Sequence, residues 1–406
     1  MLKTSVPSYF SERRKRATAQ TPGGVFILPG AVEVSRNPDV SYEFRQESYV
    51  NYLSGFNQPN AILVLIGGSA TQAKRSLSIL FVDKRNPAHE LWEGELYGVE
   101  RAKSVFGFDE AYELADFEKV MTDYLFGCES VYYQLNRSSS MDDRVLGLMD
   151  KVKKSRGRTG KTSPKICDPE EILGEMRLIK GPEEITAMRE AGRISADAHK
   201  AVMEMVRPGM NERDVQIVLE YLFRKGGCER DAYPAIVARG VNATCLHYRD
   251  NNEELREGDV LLIDAGGEFD HYAADITRTF PVGETFTDAQ AEIYDLVLQA
   301  QKRAISVINP GVSVSEIHKA SSQALAEGLI GMGLLSGKAD KVVTSKEFKA
   351  YFPHGTSHWL GSDVHDVGVY GDKGKSRALE PGMVLTVEPG LYFPKDDESV
   401  PEEIRG

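Results

Sequence analysis

The chain has 406 residues, a length that favours two domains, and its composition of 41% hydrophobic and 27% charged residues is typical of a globular protein. Its net charge of −12 argues against nucleic-acid binding, because a phosphate backbone calls for a basic surface. The sequence has neither an apolar run of about 18 residues nor a secretory signal, so we expect no membrane contact. Four scattered cysteines without a CxxC pair favour reduced thiols and a cytoplasmic location.

The first part of the sequence alternates strand and helix signals. The apolar runs at residues 61–66 and 77–82 predict buried strands, and residues 116–125 have the spacing of an amphipathic helix. This alternation is typical of an α/β domain. Residues 151–165 are basic, contain glycine and include few apolar side chains, so we expect an exposed loop near a domain boundary rather than a nucleic-acid-binding patch.

The second part of the sequence repeats one helical pattern. Pro182 and the two glutamates after it predict the start of a helix. Proline is tolerated there because N–H groups in the first turn have no partner within the helix, and acidic side chains are favoured by the positive end of the helix dipole. A Pro-Gly pair ends this helix at Pro208, and another ends a later helix at Pro310. The recurrence fits two similar α/β halves, and it fits coincidence equally well. The predicted helices span residues 182–206, 212–224, 288–308 and 314–329.

Two aspartates occupy positions where burial of a carboxylate would be energetically unfavourable. Asp264 ends the apolar run that begins at Val260, and Asp275 follows after two glycines, in a segment that predicts a hairpin. A hairpin would bring the two carboxylates together, and a cation between them would relieve their repulsion. The alternative is a solvated turn acid at one position and an ion pair with Arg278 at the other.

Three of the eight histidines, His354, His358 and His365, lie close together in a glycine-interrupted segment that does not favour a long helix. Glu388 ends a further apolar run and precedes Pro-Gly, and His247 also follows a strand-like stretch. One imidazole beside several carboxylates forms an oxygen-rich site that suits Mn, Fe(II), Co or Mg better than structural zinc. The remaining histidines could donate protons or stabilise an oxyanion.

Two long motifs make the resemblance of this sequence to a known family specific. They read Ser-His-Trp-Leu-Gly-Ser-Asp-Val-His-Asp-Val-Gly from residue 357 and Glu-Pro-Gly-Met-Val-Leu-Thr-Val-Glu-Pro-Gly from residue 380. With Asp264 and Asp275, they resemble the pita-bread metallopeptidases, and within them the Xaa-Pro aminopeptidase (aminopeptidase P) branch. Residues 42–66 are similar to the N-terminal domain of that branch.

The resemblance implies an α/β (α+β) fold in two domains. Residues 1–172 would form a non-catalytic, creatinase-like α/β domain that mediates oligomers, and residues 173–406 would form the catalytic pita-bread domain. That domain would have a curved antiparallel sheet and helix pairs related by a pseudo-two-fold axis. The protein would then be a homodimer or homotetramer.

The resemblance also implies two divalent metal ions, with manganese preferred and cobalt, iron or zinc as alternatives. Asp264 would bind one ion, Asp275 would bridge both, and His358 with Glu388 would bind the other. The family has a fifth ligand, a second glutamate shortly beyond a segment like residues 404–406. We therefore expect the sequence as given to be truncated, and to bind at least one ion weakly as written.

The implied reaction is release of an N-terminal residue that is linked to proline, so the partners are peptides with proline at the second position. Glu388 would also serve as general base, His365 and His247 would hold the scissile carbonyl, and His354 would shape the substrate pocket. The alternatives are a prolidase, which cleaves only Xaa-Pro dipeptides, and a catalytically impaired homologue that binds peptides. Metal-free creatinase-like hydrolysis is disfavoured, because the four ligands named above are all present.

Overall fold

The computed structural model describes residues 2–71, 74–157 and 162–405. The chain divides into two compact units, Met1–Met176 and Arg177–Gly406. Gly406 itself lies outside the described residues.

The first unit is built on a mixed sheet with the strand order β6-β5-β4-β1-β7-β8. β1 and β4 pair in antiparallel fashion at its centre, whereas β5 with β6 and β7 with β8 are parallel. A separate short hairpin joins β2 and β3. The strands are β1 Gly24–Pro29, β2 Ser35–Asn37, β3 Val40–Ser41, β4 Ile62–Ile66, β5 Leu77–Val82, β6 Glu110–Glu113, β7 Ser130–Tyr132 and β8 Lys165–Cys167.

Helices cover this sheet, and the predicted strands β4 and β5 are fully buried between them. The predicted amphipathic helix is confirmed as α5, whose Phe117, Met121 and Leu125 pack on the sheet. The helices are α1 Tyr9–Gln20, α2 Ser48–Ser54, α3 Pro87–Glu93, α4 Gly98–Phe106, α5 Phe117–Gly127, α6 Ser139–Arg156 and α7 Glu170–Leu178.

The prediction of a loop over residues 151–165 is wrong at both of its ends. Helix α6 continues to Arg156, because Val152 is buried in the core and the Arg156 guanidinium donates hydrogen bonds to the carbonyls of Leu125 and Phe126 at the end of α5. Residue 165 begins β8. Residues 158–161 lie outside the described part of the chain.

The second unit carries the predicted pairs of helices. Pro182 begins α8, and the Gly181 N–H bonds the Glu184 carboxylate. Asn211 caps α9 by accepting from the Arg213 N–H. These starts confirm the sequence prediction. The helices are α8 Pro182–Met205, α9 Glu212–Gly226, α10 Asp288–Ser306, α11 Val314–Gly331 and α12 Ala339–Ser345.

Two small antiparallel sheets follow the first helix pair, with the orders β10-β11-β14 and β13-β12-β9. After the second pair, the run predicted from residue 383 is extended but is not assigned as a strand. It meets residues 356–360 through an isolated bridge between Trp359 and Leu385 and flanking backbone bonds. The strands are β9 Arg230–Asp231, β10 Ile236–Arg239, β11 Val260–Asp264, β12 Gly267–Phe269, β13 Tyr272–Ala273, β14 Thr277–Pro281, β15 Gly371–Asp372 and β16 Lys375–Ser376.

Candidate metal centre

The hairpin predicted between Asp264 and Asp275 is present. Strands β11 and β14 pair with Asp264 opposite Thr277, and β12 and β13 form the turn between them. The two carboxylates share one neighbour: the Tyr233 hydroxyl oxygen lies 2.5 Å from Asp264 Oδ1 and 3.1 Å from Asp275 Oδ1. The strand pairing and this hydroxyl therefore hold both acids at one place.

Helix α8 fixes the chain that leaves Asp264. The Nε2 of His199 lies 2.9 Å from the Ala265 carbonyl oxygen, and the Ser195 hydroxyl accepts the Gly267 N–H at 3.0 Å. His199 and Ser195 are one helical turn apart and both are buried. The backbone beside Asp264 is thus anchored to a rigid element.

The His358 ring links two of the candidate ligands. Its Nε2 lies 3.2 Å from Asp275 Oδ2 and 3.1 Å from Glu388 Oε1. Burial lowers the pKa of His358, but hydrogen bonds to the two carboxylates outweigh burial and raise it to about 10. The Nδ1 atom donates to the Trp359 carbonyl at 3.0 Å, which leaves Nε2 as the atom that could bind a metal.

Glu388 is placed by the extended pairing of residues 384–388 with residues 356–360. Its N–H donates to the Thr356 carbonyl at 2.9 Å, and the Thr386 hydroxyl donates to its Oε1 at 2.7 Å. Burial raises the pKa of Asp264 to about 6, and the charges of Asp275 and Glu388 contribute to the rise. Three acids thus share a partly buried region in which one of them resists ionisation.

This donor set fits hard divalent cations by its chemistry. Three carboxylates and one imidazole offer mainly oxygen ligands, and a cation would offset both the burial that raises the pKa of Asp264 and the repulsion by Asp275 and Glu388 that adds to the rise. In the structure the donors bond to one another, and among the described residues no three His, Cys, Asp or Glu side chains have the spacing of an ion-binding cluster. An ion would replace the two contacts between His358 and the carboxylates.

A buried ion cluster holds the loop between His358 and His365. Asp366 accepts from Arg177 at 2.5 Å and from Lys180 at 2.9 Å, and all three side chains are at most 2% exposed. Gly361 leaves room for this cluster, because a Cβ atom there would lie 2.1 Å from Asp366 Oδ2. The sequence between the two histidines is therefore rigidly packed.

The other predicted site residues lie around this centre at different distances. The ring centroids of His365 and His358 are 4.1 Å apart, and burial and then the His358 charge lower the pKa of His365. His354 contacts the Tyr392 hydroxyl through Nε2 at 2.9 Å. His247 is exposed on the chain between β10 and β11, and its link to the centre is electrostatic, since its charge also lowers the pKa of His365.

Sequence reasoning missed two tyrosines. Tyr233 bonds the Asp264 carboxylate, and burial raises its pKa well above the usual range. Tyr392 contacts His354, and burial followed by the charges of Glu388 and Asp264 also raises its pKa. The position of Tyr392 two residues after Pro-Gly could have drawn notice, whereas Tyr233 carries no such signal.

Among the helices in the described part of the chain, none has the length and apolar character needed to cross a membrane. The combination of one imidazole and three carboxylates in a mixed α/β chain points to the class of metal-dependent hydrolases.

Comparison with known proteins identifies the family. Residues 186–404 match the model for "Metallopeptidase family M24", and residues 10–132 match "Aminopeptidase P, N-terminal domain". The chain belongs to metallopeptidase family M24. The fold expected from the motifs, an N-terminal α/β domain and a C-terminal pita-bread domain, is confirmed by these matches and by the structural similarities below.

Relatives resemble the chain over nearly its whole length. The Xaa-Pro aminopeptidase of Escherichia coli K12 is 41% identical over 98% of this chain and 89% of the relative. Human Xaa-Pro aminopeptidase 3 is 34% identical over 97% and 76%, respectively. The structure of Pseudomonas aeruginosa aminopeptidase PepP matches with a TM-score of 0.92 and 41% identity, covering 99% of this chain and 91% of that one. Zinc-substituted E. coli aminopeptidase P with product matches at 0.92 and 40%, with the same coverage.

Proposed function

We propose that this chain is a Xaa-Pro aminopeptidase, which releases an N-terminal residue linked to proline. The observation that carries the proposal is the contact of His358 with both Asp275 and Glu388, beside the pair of Asp264 and Asp275. The similarity to enzymes of this name over 98% of the chain supports the substrate class. The substrates are peptides with proline at the second position.

The proposed metal ligands are Asp264 for one divalent ion, Asp275 for both ions, and His358 with Glu388 for the other. Manganese is our preferred metal because carboxylates dominate the donor set, and cobalt, iron and zinc are the alternatives. When bound, such ions supply Lewis acidity and lower the pKa of a water molecule.

The protein side chains then manage protons and the substrate. Glu388 takes a proton from the attacking water, and the Thr386 hydroxyl orients its carboxylate by donating to Oε1. His365 and His247 hold the scissile carbonyl as its charge develops. His354, fixed by the Tyr392 hydroxyl, shapes the substrate pocket. The bond before proline is a tertiary amide, so a dedicated site is required.

The domain roles are also part of this proposal. Residues 1–172 form a non-catalytic domain that mediates a homodimer or homotetramer, and residues 173–406 form the catalytic domain. Matches to an aminopeptidase P N-terminal domain at 10–132 and to family M24 at 186–404 lie on either side of this boundary. We propose a cytoplasmic enzyme without nucleic-acid or membrane partners, in line with its four free cysteines and net charge of −12.

The test compares wild type with D264A, and with D295A as an exposed-acid control in the same unit. With manganese present, wild type and D295A should cleave a tripeptide that begins with Gly-Pro, and D264A should not. Calorimetric titration should show Mn(II) affinity in D264A reduced by more than the roughly 10–100-fold loss typical of an outer-shell change. Unchanged affinity would refute the ligand assignment. Cleavage confined to the Gly-Pro dipeptide would indicate a prolidase, and binding of the tripeptide without turnover would indicate a non-catalytic homologue.

A further inference from the structure

A buried carboxylate lies beneath the loop that carries His247. Glu212 is the first residue of α9, and its side chain is fully buried. Its Oε1 accepts the Arg239 N–H at 2.8 Å and the Asn242 Nδ2 at 3.0 Å. Its Oε2 accepts the Tyr248 hydroxyl at 2.8 Å and the Glu253 N–H at 3.0 Å. A carboxylate offers about four acceptor positions, so these four bonds saturate Glu212.

Arg239, the last residue of β10, supplies one of the four donors, and the other three belong to the segment that connects β10 with β11. This segment has a short 3-10 helix at Gly240–Thr244 and then runs irregularly to residue 253. His247 is exposed in its middle, and Tyr248 follows it directly. Asn242 also bonds the Tyr248 hydroxyl at 3.1 Å, so the anchors on the two sides of His247 are linked to each other.

The buried carboxylate of Glu212 is stable in this position because hydrogen bonds from the protein replace its hydration. A buried carboxylate is tolerated only when hydrogen bonds replace water, and the N-terminus of α9 adds a favourable dipole. Burial, and then the hydrogen bond to Glu212, raise the pKa of Tyr248 to about 12. Tyr248 therefore stays a donor throughout the physiological pH range.

We infer that Glu212 is a positioning residue that sets the place of His247 by holding the chain on both sides of it. The inference rests on the proposed function, in which His247 holds the scissile carbonyl. Glu212 touches no reacting group, so it acts through His247. Its loss should thus affect the developing charge in the transition state more than substrate binding.

The test is E212Q, which keeps the volume but removes two of the acceptor positions facing N–H and O–H donors. We expect kcat on a Gly-Pro tripeptide to fall about 10–100-fold with KM nearly unchanged, below the roughly 100–1,000-fold loss of a direct oxyanion donor. The E212Q/H247A double variant should be no slower than H247A alone. Mn(II) affinity, measured by calorimetry, should equal that of wild type.

Two further variants separate positioning from general loss of stability. Y248F removes the anchor next to His247 and should lower kcat in the same way but less, which keeps the inference testable if E212Q does not fold. E184Q is the matched control: Glu184 is also a buried glutamate in the first turn of a helix, bonded by Gly181 N–H and the Tyr272 hydroxyl. E184Q should lose thermal stability but keep its kcat.

The outcomes distinguish this inference from the proposed function. If H247A cleaves like wild type, the role of His247 and this inference both fail. If H247A is impaired while E212Q and Y248F behave like wild type, the inference alone fails. Losses from E212Q and H247A that multiply in the double variant would also overturn it, because independent effects multiply and effects through one residue do not.

Discussion

Replacing Asp366 by Asn should destabilise the second unit strongly. The change removes the negative charge that neutralises Arg177 and Lys180, and both cations are almost fully buried. Arg177 also pairs with Asp363 at 2.8 Å, but that carboxylate is 37% exposed. Lys180 would thus lie in the interior without an ionised partner at the position of Asp366.

The size of the effect follows from the burial. Breaking a buried ion pair by removing one partner costs about 3–5 kcal/mol, because the other charge stays desolvated. That is a large share of the ~5–15 kcal/mol stability of a typical domain. At about 2–4 °C per kcal/mol for a unit of this size, the unfolding midpoint should fall by roughly 6–20 °C.

Calorimetry of D366N against D197N tests this reasoning. Asp197 pairs with Arg193 in the same unit, but the two side chains are 55% and 56% exposed. Such a surface pair contributes at most about 1 kcal/mol, so D197N should unfold within a few degrees of wild type. Equal shifts in D366N and D197N would refute the argument that burial sets the energy of the Asp366 cluster.

Three shorter predictions follow from burial and from the metal centre. At about pH 8, a thiol reagent should modify the exposed Cys245 first, because burial raises the pKa of both Cys128 and Cys228 to about 11. A fast phase of thiol modification that remains in C245S would contradict this. Burial lowers the pKa of His199 in the folded protein. As the pH drops below about 6.5, His199 is therefore protonated in the unfolded chain but not in the folded one, and the free energy of unfolding should fall. In urea unfolding, the free energy of unfolding of H199Q should fall less steeply with decreasing pH than that of wild type. An equal pH dependence in the two proteins would show that His199 is not the group responsible. Chelation of divalent ions should abolish hydrolysis and manganese should restore it, whereas activity that survives chelation would argue against metal dependence.

Local signals predicted most of the regular structure. The starts of α8 and α9 were predictable because proline and capping residues act on the neighbouring backbone. The hairpin that joins Asp264 to Asp275 was predictable for the same reason, since its turn lies within the segment itself. The histidine motif after residue 353 identified the family because it is long and specific.

Features that depend on distant contacts were not predictable. The basic composition of residues 151–156 indicated a loop, yet Arg156 continues the helix by bonding carbonyls about thirty residues away, a contact that local propensity does not contain. Tyr233 contacts Asp264 and Asp275 across 31 and 42 residues, and a single sequence gives no sign of that contact. Glu212 was predicted only as the first residue of a helix, because the donors to its carboxylate lie 27 to 41 residues away in the sequence.

The residues of the candidate metal centre are spread from Tyr233 to Glu388, and this sets an order of events during synthesis. At about 5–20 residues per second, Glu388 is added roughly 10–40 s after Met176, the last residue of the first unit. The first unit can fold on the ribosome in that interval. Asp264 and Asp275 are synthesised before His358, so for part of this time its imidazole is absent. A divalent metal ion can therefore meet the complete set of candidate ligands only late in translation, after Glu388 has been added.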